Sequence, residues 1–213
     1  MDIFLLFSGG KDSSLSAILL EPFFDVTLVT GNFGFSDTWK FARDVASELG
    51  FPHKVLRIDG AVLETACDLA VGDGYPNRAI NHIHLCALQS AAVTMPATVA
   101  SAGMRSFIAD GTRRDDRVPM LELPDAQRLE DTYKCVYVRP LLGYGRRAVN
   151  LLAGTHLEIA EDESEKIEKS DYEAELRAII EERHGFGMVD EIFPRHVQSR
   201  VVRRKDYGMP ANR

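Results

Sequence analysis

The feature that most constrains this chain is a break in an apolar run at its start. Residues 4–20, FLLFSGGKDSSLSAILL, pass from an apolar β-type run through seven small or polar residues into a run with helical composition. A strand that ends in a small-residue turn and continues as a helix is the opening unit of an α/β fold. The turn, Ser8 to Ser14, therefore follows the carboxyl end of the first predicted strand.

The chain contains five β-type runs, including the first, and they alternate with stretches of helical spacing. The runs are Ile3 to Phe7, Val26 to Thr30, Lys54 to Ile58, Ser106 to Ala109 and Val136 to Arg139. This alternation predicts an α/β domain over residues 1–155, with a three-layer, doubly wound, parallel five-stranded sheet. An apolar stretch over 79–102 contains Pro96 and predicts two helices. Residues 156–213 are expected to form a charged helical extension with a basic tail, in which an apolar stripe from Tyr172 to Ile180 predicts a helix.

Charge and cysteine content narrow the classes of protein. The chain of 213 residues has a net charge of −7, yet residues 195–213 hold six Lys or Arg against one acid, and residues 158–182 hold eleven acids. The basic tail either folds against this acidic segment or binds a tRNA backbone. No apolar run approaches the roughly 20 residues that cross a bilayer, so we expect a cytoplasmic protein without membrane contact. Three cysteines without a CxxC pair argue against a disulfide scaffold or a zinc site.

The residues of the first turn favour phosphate binding. Gly9 and Gly10 lack Cβ atoms, so a bulky anion can approach their backbone amides. The start of the following helix carries a partial positive charge, Lys11 adds a full one, and three serines add hydroxyl donors. Neither the Walker A spacing nor the GxGxxG pattern is present, which excludes the two better-known phosphate loops.

The motif SGGKDSS resembles the SGGxDS motif of the PP-loop (N-type) ATP pyrophosphatases, and the chain is similar to their small predicted tRNA-thiolation subunits. The resemblance implies a HUP-type sheet, of the kind found in adenine nucleotide alpha hydrolases. It also implies ATP and Mg²⁺ as ligands, with AMP transferred to an acceptor oxygen and pyrophosphate released. The pyrophosphate half of ATP is then held by Ser8, Gly9, Gly10, Ser13 and Ser14, beside Lys11. Asp12 helps to place magnesium or its waters.

A second motif, IADGTRRDD, spans Ile108 to Asp116 and is similar to the G-T-x-x-D-D block of PP-loop enzymes that thiolate tRNA. The resemblance implies Gly111 and Thr112 at the α-phosphate, and Asp115 or Asp116 at magnesium. In the usual doubly wound order the first and fourth strands are neighbours, so the two motifs should converge.

Three arginines accompany this second motif: Arg113, Arg114 and Arg117. Either they neutralise phosphate charge or touch an RNA backbone, or they pair with their own aspartates in a surface cluster. By the same resemblance the adenine lies near Thr30, Gly31 and Asn32, after the second strand.

The acceptor and the nucleophile distinguish the functions that remain open. We assign catalytic roles to Lys11, Asp12, Arg114 and Cys86, with Cys86 or Cys135 as the sulfur carrier; the alternative is that both thiols are buried and inert. The leading hypothesis is a magnesium-dependent ATP pyrophosphatase that adenylates a tRNA base for thiolation. The alternatives are an ammonia-dependent ligase acting on a small carboxylate, and a regulatory module that binds ATP or AMP without chemistry. A partner protein that donates sulfur or ammonia, and self-association, both stay open.

Overall fold

The computed structural model describes residues 1–94, 105–163, 170, 172–193 and 197–205. Its strands are β1 (Asp2–Leu6), β2 (Asp25–Asn32), β3 (His53–Arg57), β4 (Ser106–Ala109), β5 (Cys135–Val138), β6 (Leu157–Glu163) and β7 (Val197–Arg204). Its helices are α1 (Lys11–Leu20), α2 (Trp39–Leu49), α3 (Gly60–Asp73), α4 (Asn77–Thr94), α5 (Leu123–Tyr133), α6 (Arg146–His156), α7 (Tyr172–His184) and α8 (Phe186–Ile192).

The first five strands form one parallel sheet in the order β3-β2-β1-β4-β5. Ile3 in the central strand pairs with Val26 of β2 on one side and with Phe107 of β4 on the other. The doubly wound, five-stranded sheet expected from the alternating sequence pattern is therefore confirmed. Because all five strands run the same way, the turns that follow β1 and β4 lie at one edge of the sheet.

Helices cover both faces of the sheet and give it three layers. Successive side chains of a strand point to opposite faces. Ile3 and Leu5 accordingly pack into a core with residues of α1, α2 and α6, whereas Phe4 and Leu6 pack into a second core with residues of α3 and α4. None of the helices in the described ranges is long and apolar enough to cross a membrane.

The C-terminal extension is only partly helical, which corrects the sequence-based expectation. It contains α7 and α8, but β6 and β7 form an antiparallel two-stranded sheet. The acidic segment pairs with the basic one across this sheet, and Nε of Arg203 lies 2.7 Å from a carboxylate oxygen of Glu158. Charge complementarity between the two segments thus stabilises a pairing that neither segment indicates alone.

The extension shares both cores of the sheet. The predicted stripe is buried: Leu176 and Ile180 of α7 join the core with α3 and α4, and Leu157 and Val201 join the opposite one. On the other hand, the second of the two helices expected over 79–102 lies outside the described residues, since α4 is described to Thr94 and the next described residue is 105.

Candidate functional site

The first turn has the backbone geometry that an anion site requires. Gly9 has φ +78°, and a Cβ atom there would lie 2.7 Å from Cε1 of Phe41, so the position demands glycine twice over. The first hydrogen bond within α1 runs from the amide of Ser14 to the carbonyl of Gly10, at 3.1 Å. The amides of Lys11, Asp12 and Ser13 precede the helical ladder and lie at the helix N-terminus, whereas the amide of Gly10 donates to the hydroxyl of Ser8 at 3.4 Å.

The second turn meets the first. A Cβ atom on Gly111 would lie 2.9 Å from the backbone nitrogen of Ser13 and 3.0 Å from its Cα. Gly111 therefore packs directly on the first turn of α1, as expected from the adjacency of β1 and β4. Two motifs separated by about a hundred residues of sequence form one surface at the edge of the sheet.

Arg113 lies between acidic groups of both turns. Its Nε is 3.4 Å from Oδ2 of Asp12 and 3.0 Å from Oδ1 of Asp116, and its backbone amide donates to the other oxygen of Asp116 at 2.7 Å. The Nη1 of Arg113 is buried without a hydrogen-bond partner in the described part of the chain. Burial raises the pKa of Asp12, against the effect of Lys11 and Arg113. A partly buried carboxylate whose pKa is raised is a setting in which a bound metal ion would stabilise the charged form.

Two further charged residues of the second motif, Arg114 and Asp115, are exposed and lie outside the cleft wall, although Oδ1 of Asp115 is 3.9 Å from Nε of Arg113. Asp115 accepts a hydrogen bond from the amide of Arg146 at 2.8 Å, at the start of α6, which lowers the pKa of that carboxyl. Arg114 is exposed and donates to the carbonyl of Gly143 at 3.5 Å. Asp115 therefore serves as a helix cap, while Arg114 lies on the surface.

A cleft of about 860 Å³ opens between the two turns and the C-terminal extension. The predicted site residues in its wall are Ser8, Gly10, Lys11, Asp12, Ser13, Gly31, Gly111, Thr112, Arg113 and Asp116. Of the predicted metal ligands, Asp12 and Asp116 thus lie in the wall and Asp115 does not. In the described residues no group of three or more His, Cys, Asp or Glu side chains is arranged to hold a metal ion by itself.

Other predicted site residues support the wall from behind. The hydroxyl of Thr30 donates to the carbonyl of Phe7 at 2.7 Å and lies 2.8 Å from Nε2 of His53. The side-chain amide of Asn32 donates to the backbone carbonyl of Ser36 at 2.9 Å. Ser14 is fully buried in α1, and its hydroxyl has no hydrogen-bond partner among the described residues.

The two candidate sulfur carriers lie away from the cleft. Helix α4 presents Asn77, Ile80 and His84 to it, and Cys86 follows His84 by two residues, about 200° further round the helix. Burial raises the pKa of the Cys86 thiol. Cys135 is buried in β5, with its Sγ 3.8 Å from the carbonyl of Leu129, and burial also raises its pKa. These are the surroundings of unreactive thiols.

Sequence reasoning missed a buried polar network in the cleft wall. His84 places its Nε2 2.7 Å from Oδ2 of Asp110, the hydroxyl of Tyr137 donates to the same oxygen, and the amide of Thr112 donates to Oδ1 at 2.9 Å. Burial raises the pKa of Asp110, but the hydrogen bonds outweigh that effect and hold it below its ordinary value. The one signal in the sequence was an aspartate between a buried strand and Gly111.

The extension also forms part of the site, which the sequence did not indicate. Its residues in the cleft wall are Ser170, Tyr172, Glu173, Phe193 and Ser199. The amide of Val201 in β7 donates to the carbonyl of Gly9 at 3.3 Å. Glu175, 3% exposed, accepts hydrogen bonds from the backbone amides of Phe33, Phe35 and Ser36 and from the side chain of Asn32, at 3.0 to 3.2 Å. The extension thus fixes both the first turn and the loop after β2.

Three basic residues in the described part of the tail are paired within the molecule: Arg203, Arg204 and Lys205. Arg204 forms a two-pronged ion pair with Glu21, at 2.7 and 3.1 Å, and Lys205 donates to the carbonyl of Gly154 at 2.6 Å. Arg203 pairs with Glu158, as described above, whereas Arg195 and Arg213 lie outside the described residues. Arg117, like Arg114, is exposed beside the second turn.

Comparisons with known proteins give a family and two relatives of interest. The model of the family of unknown function DUF7411 matches residues 1–203. An uncharacterized protein of Methanocaldococcus jannaschii is 40% identical over 203 residues, which cover 95% of this chain and 96% of that protein. A crystal structure of a predicted subunit of a tRNA methyltransferase from the same organism is 40% identical, covers 97% of this chain and 98% of that chain, and gives a TM-score of 0.86.

A further solved structure is more distant. The U34-tRNA thiolase NcsA from Methanococcus maripaludis, solved with its 4Fe-4S cluster, is 18% identical. The match covers 72% of this chain and 56% of that chain, with a TM-score of 0.46.

Proposed function

The chain belongs to the DUF7411 family of unknown function, and from the cleft itself we propose that it is an ATP pyrophosphatase. It binds ATP across the two converging turns, transfers AMP to an acceptor oxygen and releases pyrophosphate. The observation that carries this proposal is the contact of Gly111 with the backbone of Ser13, which brings two glycine turns together at the carboxyl edge of the sheet. Such an edge is where parallel α/β sheets bind ligands.

On this proposal, different residues at the cleft bind different parts of ATP. The amides at the N-terminus of α1 and the hydroxyls of Ser8 and Ser13 bind the pyrophosphate half, because the helix dipole favours negative charge there; Gly9, buried outside the wall, shapes the turn. Lys11 neutralises the charge that develops on the departing pyrophosphate. On this assignment Gly111 and Thr112 hold the α-phosphate, and Gly31 lies against the adenosine.

The residues also fit magnesium. Mg²⁺ is usually bound by one or two carboxylates together with substrate phosphates, and not by a complete protein cage. Asp12 and Asp116 supply two carboxylates in the cleft wall, and burial of Asp12 favours a cation beside it. The ion would neutralise phosphate charge during transfer. Arg113, which bridges these two carboxylates, keeps them in place.

We further propose that the acceptor is a tRNA base. The support is the crystal structure that is 40% identical over nearly the whole chain and is named as a predicted subunit of a tRNA methyltransferase. A role in tRNA modification is consistent with a cytoplasmic protein and with a partner protein. The basic residues best placed for RNA are the exposed Arg114 and Arg117 beside the second turn, because Arg204 and Lys205 of the tail are paired internally.

The position of the cysteines favours a nucleophile delivered by another molecule. Neither Cys86 nor Cys135 is in the cleft wall, so a persulfide on this chain would not reach an adenylated base from its place in the structure. A partner protein that delivers sulfur, or ammonia as in the ligase alternative, satisfies the geometry. Replacing both cysteines by serine should leave AMP and pyrophosphate formation unchanged.

Product analysis tests the proposed function. ATP labelled at the α or the γ phosphate is incubated with the protein, magnesium and bulk tRNA, and the products are separated. We expect pyrophosphate together with AMP that is either attached to the tRNA or released from it by water, with strong loss in Lys11→Met and none in Lys40→Met, whose lysine is exposed and pairs with Asp37. If the products are ADP and phosphate, or if no ATP is consumed, the proposed function is wrong.

A further inference from the structure

The wall of the cleft contains a histidine that the proposed function has not used. His84 on α4 is 3% exposed and belongs to the wall. Its Nε2 is hydrogen-bonded to Asp110 at 2.7 Å, whereas its Nδ1 is buried and has no hydrogen-bond partner among the described residues. A buried ring nitrogen without a partner needs an explanation, and a ligand that supplies the missing donor or acceptor is one.

The surroundings of Asp110 determine which ring nitrogen carries the proton. The carboxylate accepts hydrogen bonds from Tyr137 and from the amide of Thr112 as well as from the imidazole. An ionised carboxylate has no proton to give, so the proton in the bond to His84 belongs to Nε2. When the ring is neutral, it therefore presents a lone pair at Nδ1, which is the arrangement of a general base oriented by a carboxylate.

The pair of His84 and Asp110 lies close to the proposed phosphate site. Asp110 directly precedes Gly111, which touches Ser13 in the first turn, so the pair lies beside the point where the two turns meet. The ring of Tyr172 packs edge-on against the imidazole, with 5.9 Å between the ring centroids. Apolar and aromatic residues continue the wall from there: Tyr75, Pro76, Ile80, Pro119 and Phe193. A flat heteroaromatic ring suits such a surface.

We propose that His84 is the general base that takes the proton of the acceptor when the acceptor is adenylated. This assignment rests on the proposed function, in which no residue was named that takes the proton of the acceptor. The acceptor it requires is a flat ring in which an N–H lies next to a carbonyl group. The ring stacks on the aromatic wall, and its N–H reaches Nδ1 of His84 when the acceptor displaces the side chains that cover this nitrogen.

The step balances as follows in atoms and electrons. The proton of the ring N–H moves to Nδ1, and the electron pair of that bond forms a ring C=N bond. The former carbonyl oxygen forms a bond to the α-phosphorus of ATP. The bond from the α-phosphorus to the bridging oxygen breaks, and its electron pair leaves with pyrophosphate. The products are the O-adenylated ring, pyrophosphate and an imidazolium that Asp110 stabilises.

Steady-state kinetics of a matched pair of variants test the role. His84→Ala should lower kcat for AMP formation with bulk tRNA by about 10²–10⁴-fold and leave KM for ATP within about threefold of wild type. The control is His82→Ala, which removes a histidine on the same helix that is not in the cleft wall. A normal kcat in His84→Ala, or a change in KM alone, overturns the proposal.

Imidazole ¹⁵N NMR of the wild-type protein tests the same assignment without relying on turnover or on the folding of a variant. We expect the Nε2–H tautomer at His84, and a shift of its Nδ1 resonance when bulk tRNA and a non-hydrolysable ATP analogue are added. A Nδ1–H tautomer, or a Nδ1 resonance that tRNA does not move, overturns the assignment. If wild type releases no pyrophosphate, the proposed function fails, and the NMR result still decides whether His84 contacts the acceptor.

Discussion

Replacement of Gly111 by alanine tests whether the two turns depend on their direct contact. The new Cβ atom would lie 2.9 Å from the backbone nitrogen of Ser13, 3.0 Å from its Cα and 3.1 Å from the carbonyl carbon of Asp12. All three are backbone atoms of the first turn of α1, so no side chain can rotate away to make room. The methyl group must push the second turn away from α1.

The cost follows from that geometry. Overpacking of a well-packed contact costs about 1–3 kcal/mol in free energy of unfolding. For a chain of this size that corresponds to a fall of roughly 2–12 °C in Tm. Displacement of the turns should also weaken ATP binding by about tenfold or more, since about 1.4 kcal/mol of lost interaction corresponds to tenfold in Kd.

Thermal unfolding and calorimetric titration with ATP and magnesium measure the two effects. The matched control is Gly143→Ala, at a glycine where an added Cβ atom meets nothing within 4 Å. The control should keep the Tm and the Kd of wild type. An unchanged Tm and Kd in Gly111→Ala would refute the contact, and a lower Tm with unchanged Kd would refute the assignment of ATP to this contact.

Three further predictions concern groups around the cleft. Glu175→Gln places an NH₂ group against backbone N–H donors. The free energy of unfolding, measured in urea, should fall by about 1–3 kcal/mol. An unchanged value would contradict the buried carboxylate contacts. Burial lowers the pKa of His53 from 6.5 to about 4, so the unfolded chain binds the proton more readily than the folded chain. The free energy of unfolding in urea should therefore fall as pH drops from about 6.5 to about 4, and the contribution of this residue to the fall should be absent in His53→Gln. Arg114→Ala combined with Arg117→Ala should weaken tRNA binding and make the slope of log K for tRNA against log salt concentration shallower by about 2. The control Arg203→Ala, which removes an internal ion pair, should leave the affinity and the slope unchanged.

The parallel sheet and the two glycine motifs were predictable because the sequence signals for strands and turns are local. Each strand of the parallel sheet is a short apolar run, and the chain order alone places β1 beside β4 once a doubly wound topology is assumed. Gly9 and Gly111 were found for the same reason, since a glycine beside a strand end marks a turn that other residues cannot form. The sequence could not show that a Cβ atom at Gly111 would strike Ser13, because that distance depends on the packing of the whole sheet.

Pairings between distant residues were not predictable. Asp115 and Asp116 are adjacent and chemically alike, yet Asp115 caps α6 and Asp116 holds Arg113 in the cleft wall. Cys86 follows His84 by two residues, and only the orientation of α4 shows that the histidine faces the cleft and the cysteine does not. For the tail, the sequence left open whether it folds against the acidic segment, and it did not predict that the two segments pair as the strands β6 and β7.

The extension has a structural role that bears on how the site works. Glu175 holds the loop after β2, and the amide of Val201 holds the carbonyl of Gly9 in the first turn. The contacts reach from the extension to the first turn, which the proposed function assigns to ATP, and to the loop that follows Gly31, and Leu176 and Val201 lie in the two cores of the sheet. Removal of the extension would therefore expose both cores and release both segments together. It follows that the first 155 residues, although they contain every sequence motif of the site, do not contain the complete site.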